Sequence, residues 1–196
     1  MCKMLSIQEI VDIVMMTLFI GFIFSRYFRR KPVEEYDPLK QYQKSTLWED
    51  VKWGAIIAAP AVVLHELAHK FVAIGFGAQA TLHAPGLFGI PYGMYIFVIL
   101  LSYLRFPVIF FVGGYVSHTP LATLPSAFVA IAGPFVNLIL WLGSIIVVKN
   151  KLVHRKYWEQ IALAGKLNMF LFIFNMLPIP GFDGFNFIRS LMTMFF

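Results

Sequence analysis

Cysteine occurs once in this chain, at Cys2, which excludes an intramolecular disulfide and any zinc site built on several thiolates. Charge is almost as scarce. Asp, Glu, Lys and Arg make up 13% of the 196 residues while 59% are hydrophobic, against roughly 25% charged residues in a soluble domain. Such a chain cannot clothe a water-facing surface, and its long apolar runs place its bulk in a bilayer. Internal repeats and low-complexity segments are also absent. The net charge of +6 would suit nucleic acid if it were spread over one face. Instead the basic residues cluster in "SRYFRRK" (Arg26, Arg29, Arg30, Lys31) and "KNKLVHRK" (Lys149, Lys151, Arg155, Lys156), each beside an apolar run. Clusters in that position set membrane topology or meet anionic headgroups, so no nucleic-acid partner is expected.

What is present is a series of spans. Residues 10–25 read as a first apolar helix. It is retained rather than cleaved, because its positive charges follow the apolar run and no small-residue cleavage site is present. Residues 26–52 read as a charged, solvated connector, and residues 53–75 as a second span. From 76 to 122 Gly and Pro break the pattern, and "FPVIFFVGGYV" (106–116) reads as a strand. A strand edge cannot face lipid unpaired, so it must be covered or line a polar cavity. Residues 87–104 fit either a short crossing or a re-entrant segment. Residues 124–148 and 160–177 read as further spans. The expected fold is an all-α, multi-pass protein of the cell membrane with about 4–6 transmembrane helices and a small β element.

The second span contains "HELAH", residues 65–69. Ionisable groups at the centre of a membrane helix cost free energy, about 2.5–3.5 kcal/mol on insertion scales for Asp, Lys or Arg. Something must offset that cost. His65 and His69, four apart, lie on one helical face and can bind one metal ion, with Glu66 placed to accept a proton from an activated water. The competing reading has the histidines hydrogen-bonding neighbours and Glu66 pairing with Lys70. Inside an apolar span that reading is the weaker one, and Lys70 is expected to snorkel or pair rather than to catalyse.

A catalytic zinc normally takes three protein ligands. After His69 the chain has only two carboxylates, Glu159 and Asp183, and three further histidines, His83, His118 and His154. Glu159 and His154 lie in the basic loop. His83 and His118 fall in the irregular region and stay open as alternatives. Asp183 sits in "NMLPIPGFDG", where Pro178, Pro180 and Gly181 break a helix, an arrangement tolerated at membrane depth only beside protein or a wet cavity. Asp183 is therefore the expected third ligand. A metzincin would need Gly at 72 and His at 75, where this chain has Val72 and Gly75.

Three motifs in order now resemble the site-2 protease family of intramembrane zinc metalloproteases. They are "HELAH" (65–69), "AGPFVN" (132–137), similar to a Gly-Pro-x-x-Asn element, and "NMLPIPGFDG" (175–184), similar to Asn-x-x-Pro-x-x-x-x-Asp-Gly. The stretch 106–116 resembles the family's membrane-associated strand. The resemblance covers 51–190. It implies one zinc per chain on His65, His69 and Asp183, with Glu66 as general base and Asn175 and, in a lesser role, Asn137 facing substrate or a developing oxyanion. Phe185 departs from the family, which often has another Gly there. With no PDZ-like domain, the chain is expected to be a minimal prokaryotic, archaeal-like form, with 1–50 as an N-terminal helix and connector and 51–196 as the catalytic core.

The expected activity is regulated intramembrane proteolysis, the hydrolysis of a peptide bond in or near the membrane segment of another protein. The alternative is a non-proteolytic membrane metal binder or transporter, for which Glu66 would be superfluous and repeat symmetry would be expected. A hydrolase in a bilayer also needs water, so a one-sided cavity is expected to join His65–Lys70, Asn137 and Asn175–Gly184 to the 76–122 region. The family orientation puts zinc nearer the cytoplasm, whereas the positive-inside bias of the two basic clusters points the other way.

Overall fold

Two capping boxes start the first two helices. Ser6 and Glu9 cap each other's backbone N–H groups at the head of α1 (Ile7–Phe24), and Thr46 and Glu49 do the same at the head of α2 (Leu47–Gly75). This computed structural model describes residues 5–25, 46–103 and 113–195. Helix α2 thus begins earlier than expected. Glu49, Asp50 and Lys52 had the look of a loop, but two of them are acids in the first turn of a helix, where the macrodipole favours them. The remainder of the expected connector, 26–45, lies outside the described residues.

Beyond α2 come strand β1 (Ala80–His83), helix α3 (Gly93–Tyr103), strand β2 (Tyr115–His118), helix α4 (Thr123–Lys149), a 3-10 turn (Arg155–Tyr157), helix α5 (Trp158–Asn175) and helix α6 (Asp183–Phe195). Among the described residues the fold is all-α with one two-stranded antiparallel sheet, as expected. The strand expected over 106–116 is seen only from Tyr115 onward; residues 106–112 lie outside the described residues. Helices α1, α2 and α4 are long and apolar enough to cross a membrane. Helix α3 has 11 residues, about 16 Å of helix, too short for a core of about 30 Å. Pairing of His83 with Tyr115 brings the two ends of the intervening segment together, so it leaves and returns at the same place.

Helices α1 and α2, α2 and α4, and α4 and α5 pack antiparallel. Helices α1 and α2 cross with a glycine on each side. A Cβ on Gly21 would stand 2.6 Å from the Val51 carbonyl oxygen, and one on Gly54 would stand 2.5 Å from that of Gly21. Small residues let membrane helices approach this closely. At the other end of the pair, Glu9 of α1 meets Lys70 of α2, which orients the helices. Helices α2 and α4 run past each other with His69 beside Val129 and Ala61 beside Asn137. Helices α4 and α5 pair Asn137 with Asn168, and a Cβ on Gly165 would collide with Ser144. The apolar core between α1, α3 and β1 contains Met16, Phe19, Leu82, Tyr95 and Val98.

Lys70 is completely buried. Its partner is Glu9, not Glu66. The same Glu9 oxygen accepts the backbone N–H of Leu82 on β1 at 2.9 Å, and the other oxygen accepts the Ser6 N–H. One carboxylate therefore fastens α1, the metal-site helix and the sheet together. Nearby, Tyr92 donates to Asp12 at 2.8 Å, and this bond pushes the Tyr92 phenol up from its ordinary value.

Candidate metal centre

His65 and His69 occupy successive turns of α2 and are both buried. Their tautomers follow from their partners. His69 Nδ1 lies 2.6 Å from the Val129 carbonyl oxygen, which can only accept, so Nδ1 carries the proton. The Asn137 amide donates its two hydrogens to the Ala61 carbonyl at 3.0 Å and to Asn168 Oδ1 at 2.9 Å. Its own oxygen faces His65 Nδ1 at 2.5 Å, so the imidazole must donate here as well. Both Nε2 atoms are left as lone-pair donors pointing the same way. This arrangement, with the far nitrogen anchored to a carbonyl or amide, is how ligating histidines are oriented.

The two Nε2 atoms are 3.1 Å apart, and Asp183 Oδ2 stands 3.1 Å from that of His65 and 3.4 Å from that of His69. Three ligand atoms at about 2.0–2.1 Å from a tetrahedral zinc lie about 3.3 Å from one another. The triangle fits. Three lone-pair atoms at these separations repel unless a cation stands among them, and the group could hold a metal ion.

Asp183 reaches the histidines because the chain breaks after Asn175. Gly181 takes a φ of 99°, in the left-handed region that only glycine occupies freely, and α6 restarts at Asp183 itself. Gly184 then sits so close to the broken end of α5 that a Cβ would stand 2.4 Å from the Met176 carbonyl oxygen. Gly133 of α4 plays the matching part on the other side. A Cβ there would stand 2.6 Å from His65 Nε2 and closer still to that of His69. The Ala-Gly-Pro-Phe-Val-Asn element of α4 thus provides clearance at Gly133 and an anchor at Asn137.

A cavity of about 820 Å³ opens beside these groups. Its lining includes Glu66, Asn175, the β2 residues Tyr115, Val116 and His118, and the start of α6. Among the described residues no ion pair or side-chain hydrogen bond engages Glu66 or Asn175. Both carboxylate and amide are left to face the cavity. Asn137 differs from expectation in its placement. It is fully buried behind His65 and does not line the cavity, so of the three stretches expected to meet there, only 65–70 and 175–184 contribute. His83 bonds Ser117 at 3.0 Å and His118 bonds the Thr119 carbonyl at 2.9 Å, both apart from the triangle.

Sequence reasoning passed over Val129, Gly133 and Glu9. Val129 contributes a backbone carbonyl, which leaves no mark in a sequence. Gly133 lay inside a quoted motif without a stated part. Glu9 had a signal, since Ser6-x-x-Glu9 is a capping box, but its second part as the partner of Lys70 needs the tertiary fold.

Comparison with known proteins gives a consistent set. Residues 141–196 match the family described as peptidase family M50. A protein of Methanocaldococcus jannaschii named as a candidate zinc metalloprotease is 30% identical over 182 residues, covering 91% of this chain and 82% of the relative. Proteins of the same description from a Synechocystis strain and from Mycolicibacterium smegmatis are each 30% identical, over 140 and 143 residues. The chain spans only 31% and 52% of those two relatives' lengths. No solved structure gives a significant match.

Proposed function

The chain belongs to peptidase family M50, the site-2 proteases, and on that premise we propose that it is a zinc-dependent endopeptidase of the cell membrane, cutting membrane-protein substrates in or near a transmembrane segment. The observation that carries the reading is the convergence of His65 Nε2, His69 Nε2 and Asp183 Oδ2 within 3.1–3.4 Å of one another beside the unpartnered Glu66.

Zinc on these three ligands would supply Lewis-acid polarisation of the scissile carbonyl and activation of the attacking water. The chain's own groups do the rest. Val129 and Asn137 hold the imidazoles so that only Nε2 is offered inward. Glu66 takes a proton from the attacking water and returns it to the leaving amine. Asn175 stands at the cavity wall, where its free amide can donate to a substrate carbonyl oxygen as charge develops there. Asn137 is better placed as an anchor of His65 than as a contact to substrate. The cavity runs from these groups to β2, which gives an unwound substrate segment a place to lie.

A plain metal carrier would need the triangle and not the free carboxylate beside it. The test is zinc analysis and a cleavage assay in detergent on wild type, Glu66→Gln and Asp183→Ala. The expected result is a zinc-loaded active wild type, a zinc-loaded Glu66→Gln slowed at least ~10²-fold, and an Asp183→Ala that loses zinc. Metal loss in Glu66→Gln would make Glu66 a ligand and overturn the assigned roles.

A further inference from the structure

Helix α6 begins with the metal-site aspartate and goes on along the cavity wall. Asp183, Asn186, Arg189, Ser190 and Thr193 all line the cavity. Arg189 is the only lysine or arginine that does so among the described residues. Its guanidinium makes no ion pair or hydrogen bond with the described residues, whereas Lys70, the buried lysine of the metal-site helix, is paired with Glu9. The anionic groups on the cavity wall are Glu66 and Asp183, and both are committed to the metal centre. Arg189, itself exposed, therefore puts a permanent positive charge on the cavity wall with no counter-ion among the described residues.

The spacing fixes what could supply one. Six residues separate Asp183 from Arg189 on one helix, about 9 Å of axial rise. An extended peptide advances about 3.3 Å per residue, so a chain laid along α6 with its scissile carbonyl at the metal centre would bring its third residue level with Arg189. A guanidinium binds a carboxylate through a two-pronged pair of charge-assisted hydrogen bonds. We propose that Arg189 is a specificity-determining residue that selects substrates carrying a carboxylate about three residues from the cleaved bond. The carboxylate is either an Asp or Glu side chain or a free C-terminus. This rests on the protease reading and adds a substrate class to it.

The test uses the purified, zinc-loaded full chain in detergent. Quenched fluorescent peptides vary the third residue on either side of the cut among Glu, Gln and Lys, and a second series ends at that position as acid or amide. Expected is kcat/KM in the order Glu, Gln, Lys, with about tenfold or more between Glu and Lys. Arg189→Glu should invert the order, and Arg189→Lys should keep it at reduced contrast. Preference in the internal series assigns a side chain, and preference for acid over amide assigns a chain end; either supports the proposal. Cleavage that depends on Glu66 but ignores peptide charge, in wild type and Arg189→Glu alike, overturns it. So does a charge effect that appears only with anionic lipid, since Arg189 would then serve a headgroup. Failure to cleave any peptide sinks the protease reading instead. Should Arg189→Glu not retain zinc, the wild-type series and Arg189→Lys still decide.

Discussion

The Lys70 ammonium donates to the Glu9 carboxylate across the α1–α2 interface, one residue from the metal-site His69, and neither side chain reaches solvent. Removing one partner leaves an uncompensated buried charge, at a cost of about 3–5 kcal/mol. Lys70→Met should therefore lower the unfolding free energy by that order in detergent denaturation. Glu9→Gln should cost at least as much, because it leaves the fully buried Lys70 ammonium without a counter-charge even though its amide oxygen can still accept the Leu82 N–H. Equal stability of wild type and Lys70→Met would mean that the pair is not formed. The pair also ties α1 to the helix that carries the metal site.

Two glycines set the clearance of the site. Gly133→Ala places a methyl group against both Nε2 atoms, and Gly184→Ala presses one against the backbone of Met176. Neither neighbour can step aside without moving a ligand. Both substitutions should reduce zinc occupancy and cleavage sharply. Gly143→Ala, in the same helix as Gly133 with open space around it, should keep its zinc and add up to about 1 kcal/mol of stability through helix propensity. Full zinc occupancy in Gly133→Ala would show that α4 lies farther from the imidazoles.

The two asparagines should separate cleanly. Asn137→Ala strands the His65 Nδ1–H and the partners at Ala61 and Asn168, and loss of such an anchor typically weakens metal binding by about 10–100-fold. Asn175→Ala removes a group that binds nothing else among the described residues, so zinc affinity should hold while kcat falls. Zinc titration and steady-state kinetics on the two variants check this. A normal zinc affinity in Asn137→Ala would remove its anchoring role.

Much of the site was legible because its chemistry is local or scarce. The four-residue spacing of His65 and His69 follows from helical pitch, and Asp183 stood out because only two carboxylates follow His69. Three spans were legible from hydropathy, although α2 starts at Leu47 because Thr46-x-x-Glu49 is a capping box that looked like loop charge; the span expected over 160–177 is a helix, α5, but is not among those long and apolar enough to cross a membrane. What could not be read was long-range and made of backbone or clearance. The Val129 carbonyl has no side-chain signature. The meeting of Glu9 with Lys70 spans 61 positions, and polarity at either residue says nothing of the other. The family resemblance gives Asn137 a lesser polar role beside Asn175, and its three hydrogen bonds, which no sequence pattern announces, are all inside the protein.

The last prediction concerns the membrane faces. Because α1, α2, α4 and α5 alternate in direction, the C-terminal end of α1 and the loop between α4 and α5 share one end of the bundle. The β1–β2 sheet lies at the other end, with the metal site nearer to it: His69 is six residues before the close of α2 at Gly75, about 9 Å. The basic cluster Lys149–Lys156 thus falls on the face away from the sheet. In a chain with Cys2→Ser, Arg155→Cys and Ser117→Cys should react with a membrane-impermeant thiol reagent from opposite sides, since both positions are exposed. The positive-inside bias assigns the basic face to the cytoplasm, so Ser117→Cys should react from outside in intact cells and Arg155→Cys only after permeabilisation. The reverse pattern would keep the bundle and give the family orientation, with the charge bias overruled by the fold. Reaction of both positions from one side would break the antiparallel order on which the site is built, because α4 could not then carry its glycine and its asparagine past α2 across the membrane.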